Sequence, residues 1–222
     1  MNKVRILTLK FKNQICSEEV KYFRGAVISA LDEDHVLFHN HVEQNYRYSY
    51  PLIQYKRIRK CAAIVCIDEG VEAIGHFFSN YQNQLRIGAK LKTMEIDFLR
   101  PSVFTLQIWN DMFHYRLSRW IPLNHDNYQY YQNLNGMAEK IQFLEKILIG
   151  NILSLTKGLR IHLEREIICK IQSIEDIYFI SHKGIKLMAF NILFTGNISL
   201  PEYIGLGKNA SINCGILTRC KK

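Results

Sequence analysis

The sequence predicts an α+β fold, and three patterns support this prediction. In "VRILTLKFK", near the N-terminus, apolar residues alternate with polar or basic ones, which is typical of a strand with one buried face. Apolar residues then recur every three or four positions at Val20, Phe23, Val27 and Leu31, which indicates a helix with one buried side. Over roughly the first 110 residues, such segments follow the order β-α-β-β-α-β. That order is typical of a ferredoxin-like, RRM-type domain, in which an antiparallel sheet carries two helices on one face.

The individual segments of the first half are assigned from shorter patterns. Ser17 can cap the first helix, and the acidic residues Glu18 and Glu19 favour its first turn. A strand interrupted by Pro51, a buried strand, a second helix and two strand segments joined through "LRPS" come next. In chain order these are "YRYSYPLIQYKRI", "CAAIVCI", "EGVEAIGHFFSNY", "QLRIGAKLKTMEIDF" and "VFTLQIW".

The second half is predicted to be a degenerate copy of the first. Residues 110–135 lose periodicity and are rich in Asn, Tyr and Gln, so we interpret them as a junction. The predicted domains are therefore 1–112, which carries a histidine loop, and 113–222, which carries a glycine-rich loop. After the junction, a helix of about 20 residues and then three or four strands are predicted. The helix is indicated by the apolar residues Ile141, Leu144, Leu148, Ile152 and Leu155.

Composition and charge restrict the function classes. Hydrophobic residues make up 48% of the chain and charged residues 22%, which is typical of a globular protein. No apolar run approaches the roughly 20 residues needed to cross a bilayer, and the N-terminus reads as a strand rather than a signal peptide. We therefore expect a cytoplasmic protein without a membrane partner. The net charge of +9 suggests a polyanionic partner, usually nucleic acid, although a solvated basic surface would give the same excess.

Cysteines and acidic residues give no sign of a metal or a cofactor. The chain has six cysteines but no CxxC pair, so most are expected to be small buried hydrophobes in a reducing compartment. Acidic pairs such as Asp68-Glu69 read as a helix start rather than as a magnesium site. We expect no cofactor.

The stretch "LFHNHVEQNYRYSYPLIQYK" contains the strongest candidate catalytic residues. His39 and His41 are two residues apart, and Tyr46, Tyr48 and Tyr50 follow at alternate positions. The tripeptide is not the signature of His-Asn-His metal nucleases, because that name describes residues scattered over a different fold. Histidine can act as an acid or a base near neutral pH. If this stretch is extended, the two histidines project to one side with Cα atoms roughly 6.5 Å apart, a span that could bracket one phosphate.

Two further features could bind a nucleic-acid backbone. Lys56, in the strand that follows, could neutralise a phosphorane, although a lone strand lysine is usually just solvated. The C-terminal segment "GLGKNASINCG" lacks the ending of a P-loop, but its backbone N–H groups could approach phosphates. The alternative for this segment is a hairpin with tolerant glycines. Its candidate binding residues are Gly205, Gly207, Lys208, Asn209 and Ser211.

Over nearly its full length, the chain resembles the CRISPR-associated endoribonucleases that cut repeat RNA into guide units. Four motifs in this order carry the resemblance: "FRGAV", the histidine stretch, "IDEGVEAI" and "GLGKNASINCG". The closest subgroup has HNH and a "YRYPLIQYK"-like strand after the first helix. Two departures are an extra Ser-Tyr before Pro51 and the single Gly215 where the family often has two glycines.

The resemblance implies both a fold and a reaction. The fold would be two tandem ferredoxin-like domains. The reaction would be metal-independent: the 2′-OH of the repeat attacks the neighbouring phosphate and leaves a 2′,3′-cyclic phosphate and a 5′-OH. By position, His39, His41 or both would be catalytic with help from Tyr48, and Gly205, Gly207 and their neighbours would bind RNA.

Several alternatives stay open at the level of sequence. A non-catalytic RNA-binding protein on the same fold would have its histidines merely in a loop, and a metal-dependent DNA nuclease would lose its activity in EDTA. The sequence does not assign base and acid between His39 and His41. It also leaves open whether other CRISPR effector subunits or a second copy of the chain join repeat RNA as partners.

Overall fold

The computed structural model of the protein describes residues 2–31, 36–39, 41–42, 45–46, 50–182 and 184–220, with the backbone alone at 39, 41, 42, 45 and 46. The chain divides into two compact units. The first contains residues 2–105 together with 211–213, and the second contains residues 106–210 and the chain from 214 onwards. The elements are β1 (Lys3–Gln14), α1 (Val20–Ser29), α2 (Val36–His39), β2 (His41–Val42), β3 (Asn45–Tyr46), β4 (Ile53–Ile58), β5 (Cys61–Ile67), α3 (Glu69–Asn80), β6 (Gln84–Ile87), β7 (Lys90–Thr93), β8 (Ile96–Thr105), β9 (Ile108–Trp120), α4 (His125–Asn133), α5 (Met137–Gly158), β10 (Cys169–His182), β11 (Ile185–Ile198) and β12 (Ile216–Arg219).

The first unit has the predicted ferredoxin-like arrangement. Its sheet has the strand order β4-β5-β1-β8, and each neighbouring pair is antiparallel. Because side chains alternate along β1, Leu7, Leu9 and Phe11 face α1 and α3 and pack into one core with residues such as Phe23 and Phe77. The alternation seen in the sequence is therefore the pattern of a sheet with helices on one face, which confirms the predicted fold class.

The fourth strand of this sheet differs from the prediction. "LRPS" is not a joint between strands, because β8 runs through it and Pro101 is paired with Leu7 of β1. Proline has no N–H group to donate to a neighbouring strand, and a central strand has neighbours on both sides. In the described sheet, β8 is an edge strand with a neighbour on one side. An edge strand tolerates proline, so the presence of Pro101 did not mark a break.

The second unit repeats the layout with one helix missing. Its sheet has the order β10-β11-β9-β12, which is the order of the first sheet when the strands are matched in sequence. The predicted long helix is α5, which buries Leu144, Leu148, Ile152 and Leu155. The chain between β11 and β12 corresponds to the position of α3, but it holds the glycine-rich segment instead of a helix. None of the helices in the described ranges has both the length and the apolar character needed to span a membrane.

The interpretation of residues 110–135 as an irregular junction was wrong. Residues 108–120 form β9, a central strand of the second sheet, and residues 125–133 form α4. Tyr115, Leu117 and Trp120 are buried, but the polar residues between and before them hid the strand periodicity. The predicted domain boundary after residue 112 lies inside β9, whereas the compact units divide after residue 105.

Gly70 and Gly75 of α3 provide a matched test of how this helix packs in the first unit. A Cβ atom at Gly70 would lie 2.5 Å from the carbonyl oxygen of Leu52, whereas a Cβ atom at Gly75 would meet nothing within 4 Å. We expect Gly70→Ala to lower the free energy of unfolding by roughly 1–3 kcal/mol, because a backbone atom cannot yield as a side chain can. Gly75→Ala should raise it by roughly 0.5–1 kcal/mol through helix propensity. Thermal melting of both variants checks this, and a Gly70→Ala protein as stable as wild type would contradict it.

Candidate active site and glycine-rich segment

The two candidate histidines lie at the junction of two short elements. His39 is the last residue of α2 and His41 is the first residue of β2, which pairs with β3 so that His41 faces Tyr46 in the register. Phe38, immediately before His39, is only 1% exposed and belongs to the core of the first unit. The backbone at His39 is thereby held next to the core. Because His39 is helical, the extended spacing that the sequence suggested for the pair does not apply.

Of the three predicted tyrosines, the structure describes the side chain of Tyr50 alone. Tyr48 lies outside the described residues, as do the side chains of His39, His41 and Tyr46. Tyr50 is buried, and its hydroxyl oxygen accepts a hydrogen bond from Nε2 of Gln54 at 2.9 Å. In this conformation Tyr50 is a core residue and offers no ring face to an unstacked base.

Lys56 lies in β4 opposite Ala63, and its side chain is 0% exposed. A direct contact with RNA would require this side chain to be uncovered. The preceding residue, Tyr55, is also fully buried and packs edge-on against Phe23 with ring centroids 6.0 Å apart. Burial raises the pKa of Tyr55 above its ordinary value, so its phenol stays protonated. Tyr55 is therefore a structural residue of β4 and not a proton acceptor.

Two glycines of the segment from 205 to 215 are required by packing in the second unit. Gly207 has φ +84°, and a Cβ atom there would lie 2.9 Å from Nε1 of Trp120. Gly215 has φ +58°, and its Cβ atom would lie 1.8 Å from the carbonyl oxygen of Leu206. No side chain larger than hydrogen fits at either position without moving the backbone. This finding excludes the alternative of merely tolerant glycines.

Backbone hydrogen bonds hold the same segment in place. The amide of Leu206 donates to Gly215 O at 2.9 Å, that of Lys208 donates to Ile121 O at 3.1 Å, and that of Gly215 donates to Arg119 O at 2.9 Å. These amides are therefore engaged within the protein and are not available to a phosphate in this conformation. The Lys208 side chain is exposed and Asn209 is half-buried, so the outer surface of the segment is formed by polar side chains.

Residues 211–213 of this segment form part of the first unit, along the edge of β4. The amide of Tyr55 donates to Ser211 O at 2.8 Å, and the amide of Asn213 donates to Tyr55 O at 2.9 Å. The side-chain Oδ1 of Asn213 accepts from the amide of Arg57 at 2.8 Å. The structure thus brings one end of the predicted RNA-binding loop beside the strand that carries Lys56. Sequence reasoning missed Asn213, although asparagine is enriched at left-handed positions such as its φ of +52°.

Cysteines and acidic residues play no evident chemical part in the described regions. The six cysteines are free, and four of them are buried. Burial raises the pKa of Cys169 to about 12, which keeps its thiol neutral. Within residues whose side chains are described, no group of three or more His, Cys, Asp or Glu side chains converges as a metal site would require.

Comparison with known proteins assigns the chain to a family. Residues 2–103 match the model of the Cas6b N-terminal domain, and residues 107–220 match the model of the Cas6b C-terminal domain. The uncharacterized protein MJ0978 of Methanocaldococcus jannaschii is 36% identical over 106 residues, which cover 48% of this chain and 71% of that protein.

Two solved structures show the same fold. A crystal structure of Cas6b has a TM-score of 0.87 at 23% identity, over 99% of this chain and 100% of that chain. A crystal structure of the CRISPR RNA processing endoribonuclease Cas6b has a TM-score of 0.76 at 21% identity, with the same coverage. The protein thus shares the tandem ferredoxin-like fold of these two structures. The two family models cover nearly the whole chain, which belongs to the Cas6b family of CRISPR repeat-RNA processing endoribonucleases.

Replacing Gly215 tests whether the glycine-rich segment is held as described. We expect Gly215→Ala to reduce the free energy of unfolding by roughly 2–5 kcal/mol, because it combines a positive φ with a backbone overlap. Gly150→Ala, on the exposed side of α5 where a Cβ atom meets nothing within 4 Å, is the control and should be neutral or stabilising. Thermal melting followed by tryptophan fluorescence reports on this region through Trp120. Equal melting temperatures for the two variants would rule out the described packing.

Proposed function

We propose that this protein is a metal-independent endoribonuclease that cleaves CRISPR repeat RNA at a phosphodiester bond. The 2′-OH of the nucleotide before the cut attacks the adjacent phosphorus, and the bond to the 5′-oxygen of the next nucleotide breaks. The products are a 2′,3′-cyclic phosphate and a 5′-OH. The match of both halves of the chain to the Cas6b models carries this proposal.

The residues proposed for the chemistry are His39, His41 and Tyr48. The reaction needs a base that removes the 2′-OH proton and an acid that protonates the departing 5′-oxygen. A histidine can do either task near neutral pH, so the pair supplies both functions, with Tyr48 assisting. The position of Phe38 in the core supports this assignment, because it holds the adjacent backbone of His39 in place. Positioned proton transfer contributes roughly 10²–10⁴-fold, and alignment of the 2′-OH with the phosphate adds to it.

RNA binding is proposed for the glycine-rich segment, through the side chains of Lys208, Asn209 and Ser211, with Gly205 and Gly207 shaping the backbone that presents them. The exposed Lys208 side chain supports a contact with phosphate, while the engaged amides of the segment favour side chains over backbone as the binding groups. Lys56 stays a candidate only if RNA binding uncovers it. Ser211 itself belongs to the first unit, where its carbonyl oxygen accepts a hydrogen bond from the amide of Tyr55 in β4.

The proposal predicts cleavage that survives metal removal and depends on the 2′-OH. Purified protein in excess EDTA should cut the repeat RNA of its source genome, and a 2′-deoxy sugar before the cut should block cleavage. We expect His39→Ala and His41→Ala to lower the single-turnover cleavage rate by roughly 10²–10⁴-fold for each histidine that transfers a proton. His162→Ala, which removes an exposed histidine from the second unit, is the matched control and should cleave at the wild-type rate.

The remaining outcomes separate the alternatives. Tight binding of repeat RNA without cleavage would favour the non-catalytic RNA-binding protein. Loss of cleavage in EDTA that Mg²⁺ restores would contradict the metal-independent reaction. Cleavage of the 2′-deoxy substrate would contradict attack by the 2′-OH.

A further inference from the structure

Two cationic side chains approach the ring of Phe98 in β8. The Nζ atom of Lys10 is 5.5 Å from the centroid of the Phe98 ring, and the Cζ atom of Arg100 is 5.0 Å from it. The aromatic ring therefore forms the centre of a small cationic cluster, which we call the Phe98 cluster: Lys10, Phe98 and Arg100.

The Phe98 cluster lies on the face of the first sheet that is opposite the helices. Lys10 is paired with Phe98 and Thr8 with Arg100, and directly paired residues of antiparallel strands point to the same face. Leu9 occupies the alternate position on β1 and packs into the core beneath the helices. Its partner Leu99, between Phe98 and Arg100, consequently lies on the helix-facing side of β8.

The two cations of the cluster differ in how their charge is compensated. Lys10 forms an ion pair with Asp97, and its side chain is only 12% exposed. Arg100 is exposed, and its guanidinium lies over the ring. Among residues whose side chains are described, no carboxylate forms an ion pair with it. The cluster thus combines one uncompensated positive charge with a half-buried aromatic side chain, at the edge strand of the sheet.

This combination has a specific use in binding. Unpaired bases stack on aromatic rings and on guanidinium planes, while cations neutralise the neighbouring phosphates. Bases within a duplex are already stacked and cannot use such a platform. A cation–π contact at an exposed site is weak, so the arrangement adds little to the stability of the fold.

We propose that the Phe98 cluster binds a single-stranded segment of RNA, with a base stacked on Phe98 and Arg100 and the guanidinium beside a phosphate. This proposal rests on the proposed function, which supplies RNA as the ligand. The net charge of +9 favours a polyanion over a basic or neutral protein at this surface.

Fluorescence anisotropy with a labelled uridine oligonucleotide tests the proposal, with the same strand in a duplex as a second probe. Phe98→Ala should weaken single-strand binding roughly 5- to 100-fold, without a change in its salt dependence. Arg100→Gln should also weaken it and should reduce the slope of log affinity against log salt by about 0.7. Leu99→Ala is the matched control, because it removes a 49% exposed apolar side chain from the opposite face of the same strand.

Melting temperatures show whether each variant is folded, and the duplex probe shows whether a loss of binding is specific to single strands. Phe98→Leu retains apolar volume for packing but offers no ring for stacking, so it should show the same loss if Phe98→Ala fails to fold. Loss of duplex binding equal to the loss of single-strand binding would overturn the stacking role.

The test also separates this proposal from the proposed function. If wild-type protein cleaves repeat RNA while the Phe98, Arg100 and Leu99 variants bind the uridine probe equally well, the Phe98 cluster is not an RNA site and the proposed function stands. If wild-type protein neither binds nor cleaves repeat RNA, the proposed function fails and this proposal fails with it.

Discussion

The pairing of residues 211–213 with Tyr55 is the constraint on which the candidate site depends. An edge strand such as β4 exposes unpaired N–H and C=O groups, which native proteins must cover or blunt. Here the amide and the carbonyl of Tyr55 bond to Ser211 and Asn213, and Oδ1 of Asn213 bonds to the next outward amide, at Arg57. The outer edge of β4 is thereby satisfied by the glycine-rich segment. β4 follows the histidine stretch in the chain, so the same strand that residues 211–213 cover also continues the segment that carries His39 and His41.

The glycines then follow from the course of the backbone. Between β11 and β12 the chain turns at positions with positive φ, and at Gly207 and Gly215 it also passes against an indole ring or other backbone. A helix in this position, as in the first unit, would satisfy its own amides and could not pair with the edge of β4. Replacing a helix with an irregular glycine-rich segment is thus what allows the second half of the chain to contribute residues to the first sheet.

The fold was largely predictable because its periodic elements are strongly patterned. The alternation in β1 and the apolar stripe of α5 require only local information, and both were predicted correctly. The strand β9 was missed because its exposed polar residues masked a buried row that includes Tyr115 and Leu117. Strand β8 was interrupted in the prediction because the tolerance of Pro101 depends on its position at a sheet edge, which local sequence does not reveal.

The site was less predictable, because its arrangement depends on long-range contacts. The composition of the glycine-rich segment indicated a special backbone, but its pairing with β4 joins residues that are far apart in the chain. The burial of Lys56 was also missed, since a lysine next to other basic residues in the sequence gave no sign of its environment. The helical state of His39 also could not be read from a pair spaced two apart, a spacing that fits a strand as well as the end of a helix.

The distribution of charge links these observations to RNA. Several basic residues are paired with carboxylates, as in the exposed pair of Lys12 with Glu95 and the half-buried pair of Lys92 with Glu19, and exposed pairs contribute little to stability. Their main effect is to cancel charge locally, so the surplus of +9 is concentrated on side chains without such partners. Arg100 in the first unit is one of these among the described residues, and its position beside an aromatic ring makes it suited to a base and a phosphate at once. A protein that bound polyanions through diffuse charge alone would not need an arginine beside an aromatic ring. The position of Arg100 therefore carries more information about the ligand than the net charge does.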